Sequence, residues 1–206
     1  MPRNSPRQQR ANGQDRKRQL VAQETARIIV TQGIRDYRVA KRKAADRLGL
    51  TDRGSLPGNG EIEQAIEDYH QIFGGAEHPA LLRRLRTAAL TAMELLAPYS
   101  PRLVGPVLNG TADENSAVNL HVFSDSAEAV GAHLDAGGIA YRMYERRLKS
   151  RKDRVDGFAG YEFNCGGAIV QATVFPFDGI RQAPLSPVDG RPMQRADART
   201  VGELLG

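Results

Sequence analysis

The chain has no tryptophan, a single cysteine at Cys165 and only 6% aromatic residues among its 206. One cysteine excludes an internal disulfide, which fits a reducing compartment. With few rings, a core has to be assembled from Leu, Ile, Val and Ala, and a hydrophobic content of 40% allows it. No apolar run approaches the ~20 residues that cross a bilayer, and the first residues lack the apolar stretch of a signal peptide. These absences point to a cytoplasmic protein with no membrane partner. Neither a cysteine nor a second histidine stands at metal-ligand spacing from His121, so no metal site is expected. Cys165 has no local activating motif, and no catalytic residue is assigned.

What is present is charge, unevenly placed. Residues 1–20 hold six basic side chains against one acid, and residues 21–50 hold seven against three. The net charge of +5 therefore belongs to the N-terminal quarter, and the remainder is mildly acidic. Residues 1–13 are polar, with two prolines and a glycine, and read as a disordered basic arm.

Apolar spacing predicts helices from about Gln14 to Gly33, over Tyr37–Leu48 with Val39, Ala40, Ala44 and Leu48 inward, over Gly60–Phe73, and over Pro79–Ala97. After Pro101 the period shortens from about 3.6 to about 2. Strands are expected at 102–108, 118–124, 140–148, 157–164 and 168–175, with helices at 126–136 and 198–205. The chain thus reads as α+β: a helical module over 14–98, then a mixed sheet with flanking helices over 99–206. The fourth helix is the one element that can pack onto the sheet instead.

The stretch Leu103–Val122, LVGPVLNGTADENSAVNLHV, carries the most information. A strand runs into Gly105, a second glycine follows at Gly110, and a polar turn leads to a second strand. This resembles the nucleotidyltransferase superfamily related to DNA polymerase beta, in particular its small bacterial members. There, two glycines let the backbone approach a triphosphate, and a strand bearing Asp-x-Asp holds the bridging divalent ions. The resemblance implies a nucleotide site at Gly105, Gly110, Ser116 and Asn119. It also implies lost catalysis. Pro106 stands where the family has serine, Ala117 and Asn119 stand at the two aspartates, and the strand at 168–175 offers Gln171 and Thr173 in place of a third carboxylate. The function expected is a non-catalytic nucleotidyltransferase-like protein that binds RNA or a nucleotide, or scaffolds a partner. Two alternatives stand beside it: a Mg²⁺-dependent nucleotidyl transfer using Asp113 and Asp125, and a protein-interaction module docking through the helices at 59–97.

Two basic stretches are candidate nucleic-acid contacts: Arg35, Arg38, Lys41, Arg42 and Arg47 on the second helix, and Arg147, Lys149, Arg151 and Lys152 between two strands. Residues 23–50 also resemble the opening of tetracycline-repressor-type regulators. The helix that should read DNA bases is acidic here, however, so no sequence-specific reader is expected.

Overall fold

The computed structural model describes residues 6–34, 36–50, 56–151 and 154–206. It is an α+β protein that divides into two compact units, 1–75 and 76–206.

The described residues of the first unit form three helices: α1 (Pro6–Gln32), α2 (Tyr37–Arg47) and α3 (Asn59–Phe73). Two narrow seams along α1 hold them. Ala22 and Ala26 pack on Ile62, Ala65 and Ile66 of α3, and Val21 and Ile28 pack on Ala40 and Ala44 of α2. Short alanines let the axes approach closely, so few side chains suffice. Asp36 caps α2 by accepting from the Arg38 and Val39 backbone N–H groups. At the start of α3 the Glu61 carboxylate accepts from the Gly58 N–H at 2.6 Å. The helix begins at Pro6, whereas the sequence reading expects residues 1–13 to be unstructured. Proline costs nothing at a first helical position, where its missing N–H would be unpaired anyway, and the Arg, Gln and Ala residues that follow favour helix. Val39 and Leu48, expected inward, are exposed, because α2 meets the seam through Ala40 and Ala44.

The second unit begins with α4 (Glu77–Leu95), so the boundary lies some 23 residues before the one expected at 98. Leu85, Ala88, Ala89, Ala92, Met93 and Leu96 are buried in the core of the sheet, not in a helical module. Of the helices at 59–97, α3 belongs to one unit and α4 to the other. A 3-10 turn over Ala97–Tyr99 leads to β1 (Arg102–Val104), α5 (Pro106–Asn109), β2 (Val118–Phe123), α6 (Ala127–Ala136), β3 (Tyr141–Arg151), β4 (Arg154–Cys165), β5 (Ala168–Phe175) and α7 (Ala198–Glu203). The first strand is shorter than expected. Gly105 adopts φ +74° and ψ −153°, a conformation open to glycine alone, and Pro106 then opens a single helical turn.

The strands lie in the order β1-β2-β5-β4-β3, and only β2–β5 is parallel. One face carries Leu103, Val118, Leu120, Val122, Tyr161, Phe163, Val170, Ala172 and Val174 onto α4, α6 and α7. The β3–β4 hairpin outruns its neighbour. Pairing with β5 covers Gly160–Cys165, and beyond it the hairpin continues as a two-stranded ribbon. After β5 the chain forms a 3-10 turn at Phe177–Arg181, bridges Lys149 on β3 through Leu185, and returns to bridge Leu103 on β1 through Ala196.

Candidate functional site

Alternation along the strands puts a different set of residues on the opposite face. β2 contributes Asn119, His121 and Phe123, and β5 contributes Gln171, Thr173 and Phe175. Glu162, Gly160 and Phe158 come from β4, and Arg142, Tyr144 and Arg146 from β3. Asn119 and Gln171 are direct partners across the parallel pair, as are His121 and Thr173.

A chain of hydrogen bonds runs across this face. Arg142 Nη2 donates to Glu162 Oε1 at 2.8 Å, and Gln171 Nε2 donates to Glu162 Oε2 at 2.7 Å. The Gln171 amide and the Arg142 guanidinium hold the Glu162 carboxyl below its ordinary range, against the opposing pull of burial. The Arg146 guanidinium then closes the chain, donating from Nη2 to Gln171 Oε1 at 2.8 Å and from Nη1 to Asn119 Oδ1 at 3.0 Å. A Cβ on Gly160 would overlap the Tyr144 ring, so the absence of a side chain lets Tyr144 lie across β4. Its hydroxyl meets Thr173 Oγ1 at 2.9 Å, its ring lies 5.8 Å from the Arg146 guanidinium carbon, and burial pushes its phenol pKa up.

A second guanidinium lies near the first. Arg195 Nε donates to His121 Nδ1 at 3.1 Å, and Nη1 donates to the carbonyls of Gly179 and Ile180. Its guanidinium carbon lies over Phe123 and Phe175, at 5.0 and 5.3 Å from the ring centroids. Burial, helped by Arg102, lowers the Arg195 pKa to about 10. His121 is 1% exposed, and burial, with Arg195 and Arg146 adding to it, pulls its pKa down to about 3. Its ring is therefore neutral, and accepting at Nδ1 puts the proton on Nε2. His121 Nε2 and Arg195 Nη2 are both buried without a hydrogen-bond partner among the described residues.

Of the nucleotide-site residues expected from the sequence, Gly105 and Asn119 are neighbours. A Cβ on Gly105 would stand 3.7 Å from the Asn119 amide nitrogen. Gly110 and Ser116 are elsewhere. Gly110 ends α5 beside Leu82 and Arg86, its carbonyl 3.0 Å from His78 Nε2. Ser116 is bound within its own turn, donating to Asp113 Oδ1 and accepting from the Asp113 N–H. Asp113 and Asp125 hold loops: Asp113 accepts from the Asn115 N–H, and Asp125 from the Phe177 N–H at 3.0 Å.

The divalent ion that the resemblance implies does not suit these residues. Position 117 offers a methyl group, and the amide oxygens of Asn119 and Gln171 already accept from a guanidinium whose charge repels a cation. Among the described residues, no group of three His, Cys, Asp or Glu side chains is arranged to hold a metal.

The expected basic contacts fall in different units. Arg35 and Lys152 lie outside the described residues. On α2, Arg38 is 93% exposed and Arg42 is exposed, whereas Arg47 is paired with Glu24 at 3.0 Å. Lys41 is half-buried, which lowers its pKa against the opposing influence of Glu61. Arg147, Lys149 and Arg151 are exposed along the ribbon, where Arg147 faces Glu145 at 3.5 Å. Arg146 opens the basic run 146–154 and Arg195 ends the segment 181–195, but neither stands out there as an individual contact. The signal for Arg146 was its two-residue alternation with Arg142 and Tyr144, which sets it on the opposite side of the strand from Arg147. Arg195 had no local signal, since only the return of the chain to β1 brings it to His121. No helix among the described residues is long and apolar enough to cross a membrane. Compared with protein-family models, curated proteins and solved structures, the chain matches none.

Proposed function

We propose that the sheet-bearing unit is a non-catalytic nucleotidyltransferase-like domain that binds RNA or a nucleotide through phosphate contacts. The observation that carries this reading is the Arg146 guanidinium held between Asn119 and Gln171, at the positions where the resembled family gathers carboxylates around metal. A site built this way brings its own positive charge and lacks the anionic ligands that position a reactive ion. The exposed ribbon side chains Arg147, Lys149 and Arg151 extend the positive surface away from the sheet, in a shape suited to following a phosphate backbone.

The test is a titration of the full chain with a short labelled RNA across a salt series, run beside an incubation with each labelled nucleoside triphosphate and Mg²⁺. RNA affinity is expected to fall steeply with salt. Replacing Arg147, Lys149 and Arg151 by Gln should flatten the log–log slope by about 2, since each phosphate contact on a single strand contributes about 0.7. Salt-independent binding would remove the phosphate reading. Transfer of label, abolished by Asp113→Ala, would establish an enzyme in its place.

A further inference from the structure

Two guanidiniums on the polar face lack anionic partners among the described residues. Among the described residues, Arg146 donates only to the amide oxygens of Asn119 and Gln171, and Arg195 only to an imidazole nitrogen and two backbone carbonyls. Neither forms an ion pair with a described carboxylate. Glu162, the acid linked to this face, is already matched by Arg142. Neutral acceptors orient a guanidinium without cancelling its charge. Between the two cations His121 is uncharged, so nothing there restores balance. Arg146 has five N–H groups, and its two bonds engage only two of them. Gly105, beside Asn119, presents no side chain that would screen the site.

We infer that Arg146 is the resident cation of this site and receives a phosphate group, from a nucleotide or from an RNA 5′ end, without a divalent metal ion. The inference rests on reading this face as a phosphate-binding surface, and it specifies how the charge is supplied. A guanidinium fixed by Asn119 and Gln171 does the work of an ion, and Mg²⁺ competes for the phosphate instead of bridging it to the protein.

The experiment titrates the full chain with GTP, with ATP, and with a short RNA bearing either a 5′-triphosphate or a 5′-hydroxyl. Each titration is run in EDTA and in Mg²⁺ at equal ionic strength. Wild type is compared with Arg146→Gln, Asn119→Asp and Arg199→Gln, which all lower the net charge by one. Asn119→Asp keeps the shape and pairs the guanidinium with a carboxylate, so it tests charge where Arg146→Gln tests the group; melting temperatures report folding. Wild type is expected to bind in EDTA at least as tightly as in Mg²⁺. Arg146→Gln and Asn119→Asp should each weaken binding at least about tenfold, the scale of a lost charge-assisted hydrogen bond, while Arg199→Gln stays within about twofold. Binding of free nucleotides identifies a nucleotide ligand, and binding of 5′-triphosphate RNA alone identifies an RNA end. Affinity that requires Mg²⁺, that rises in Asn119→Asp, or that survives Arg146→Gln would overturn the inference and leave the phosphate-binding reading standing. Failure to bind any of these ligands would overturn both.

Discussion

The two faces of the sheet in the second unit are made by the same strands, one residue out of step, yet they solve different problems. On one face, Leu120, Val122, Val170, Ala172 and Val174 are buried against helices and need only volume and shape. On the other, Asn119, Gln171 and Thr173 are held by directional bonds to β3 side chains two or three strands away, and His121 by Arg195 from the segment that returns to β1. The apolar face stabilises by removing surface from water and is indifferent to which neighbour supplies the contact. The polar face works only if each donor finds its acceptor. Disturbing the first should therefore cost stability, and disturbing the second should change charge and geometry.

Three substitutions separate these roles. The largest effect is expected from Leu120→Ala on the apolar face, at about 2–5 kcal/mol of unfolding free energy by urea denaturation. A loss below 1 kcal/mol would mean that the helix-covered face is not the stabilising one. Gly160→Ala acts at the polar face by forcing the Tyr144 ring from its place, at about 1–3 kcal/mol. In a double-mutant cycle Tyr144→Ala should recover most of that cost; simple addition of the two losses would mean the ring does not need the glycine.

The third concerns His121, whose ordinary pKa near 6.5 falls to about 3 in the folded protein. The unfolded chain then takes up the proton first as acid is added. Its stabilising contribution is complete above about pH 6.5 and is lost towards pH 3, at about 1.4 kcal/mol per pH unit. Carboxylates also titrate as acid is added, so the quantity to measure is the difference in slope between wild type and His121→Gln from pH 7 to pH 5. Equal slopes would show that His121 is protonated without resistance.

Much of the fold is legible along the chain because it depends on local periodicity. The stripe of α4, the alternation of β2 and β5, and the glycines that end elements are written within windows of ten to twenty residues. Where the reading departs from the structure, the deciding contact is distant. Helix α4 looks like a fourth member of a bundle, and only its burial beneath the sheet assigns it to the second unit. The strand expected at 102–108 stops at Val104 because the backbone turns at Gly105, a change that alternation does not reveal.

The candidate site divides in the same way. The amino-acid sequence by itself determined that Ala117, Asn119 and Gln171 carry no carboxylate, since that is a matter of residue identity and needs no coordinates. It also determined that Asn119 and Leu120 point to opposite faces, because a strand alternates. Only the tertiary structure decided which cation sits against those amides. Arg146 is 27 residues from Asn119, and Arg195 is 74 from His121. Those meetings depend on the β2–β5–β4–β3 order and on the return of the chain to β1. Strand order and register follow from the packing of the whole sheet, and a charged side chain finds its partner only once that packing is complete.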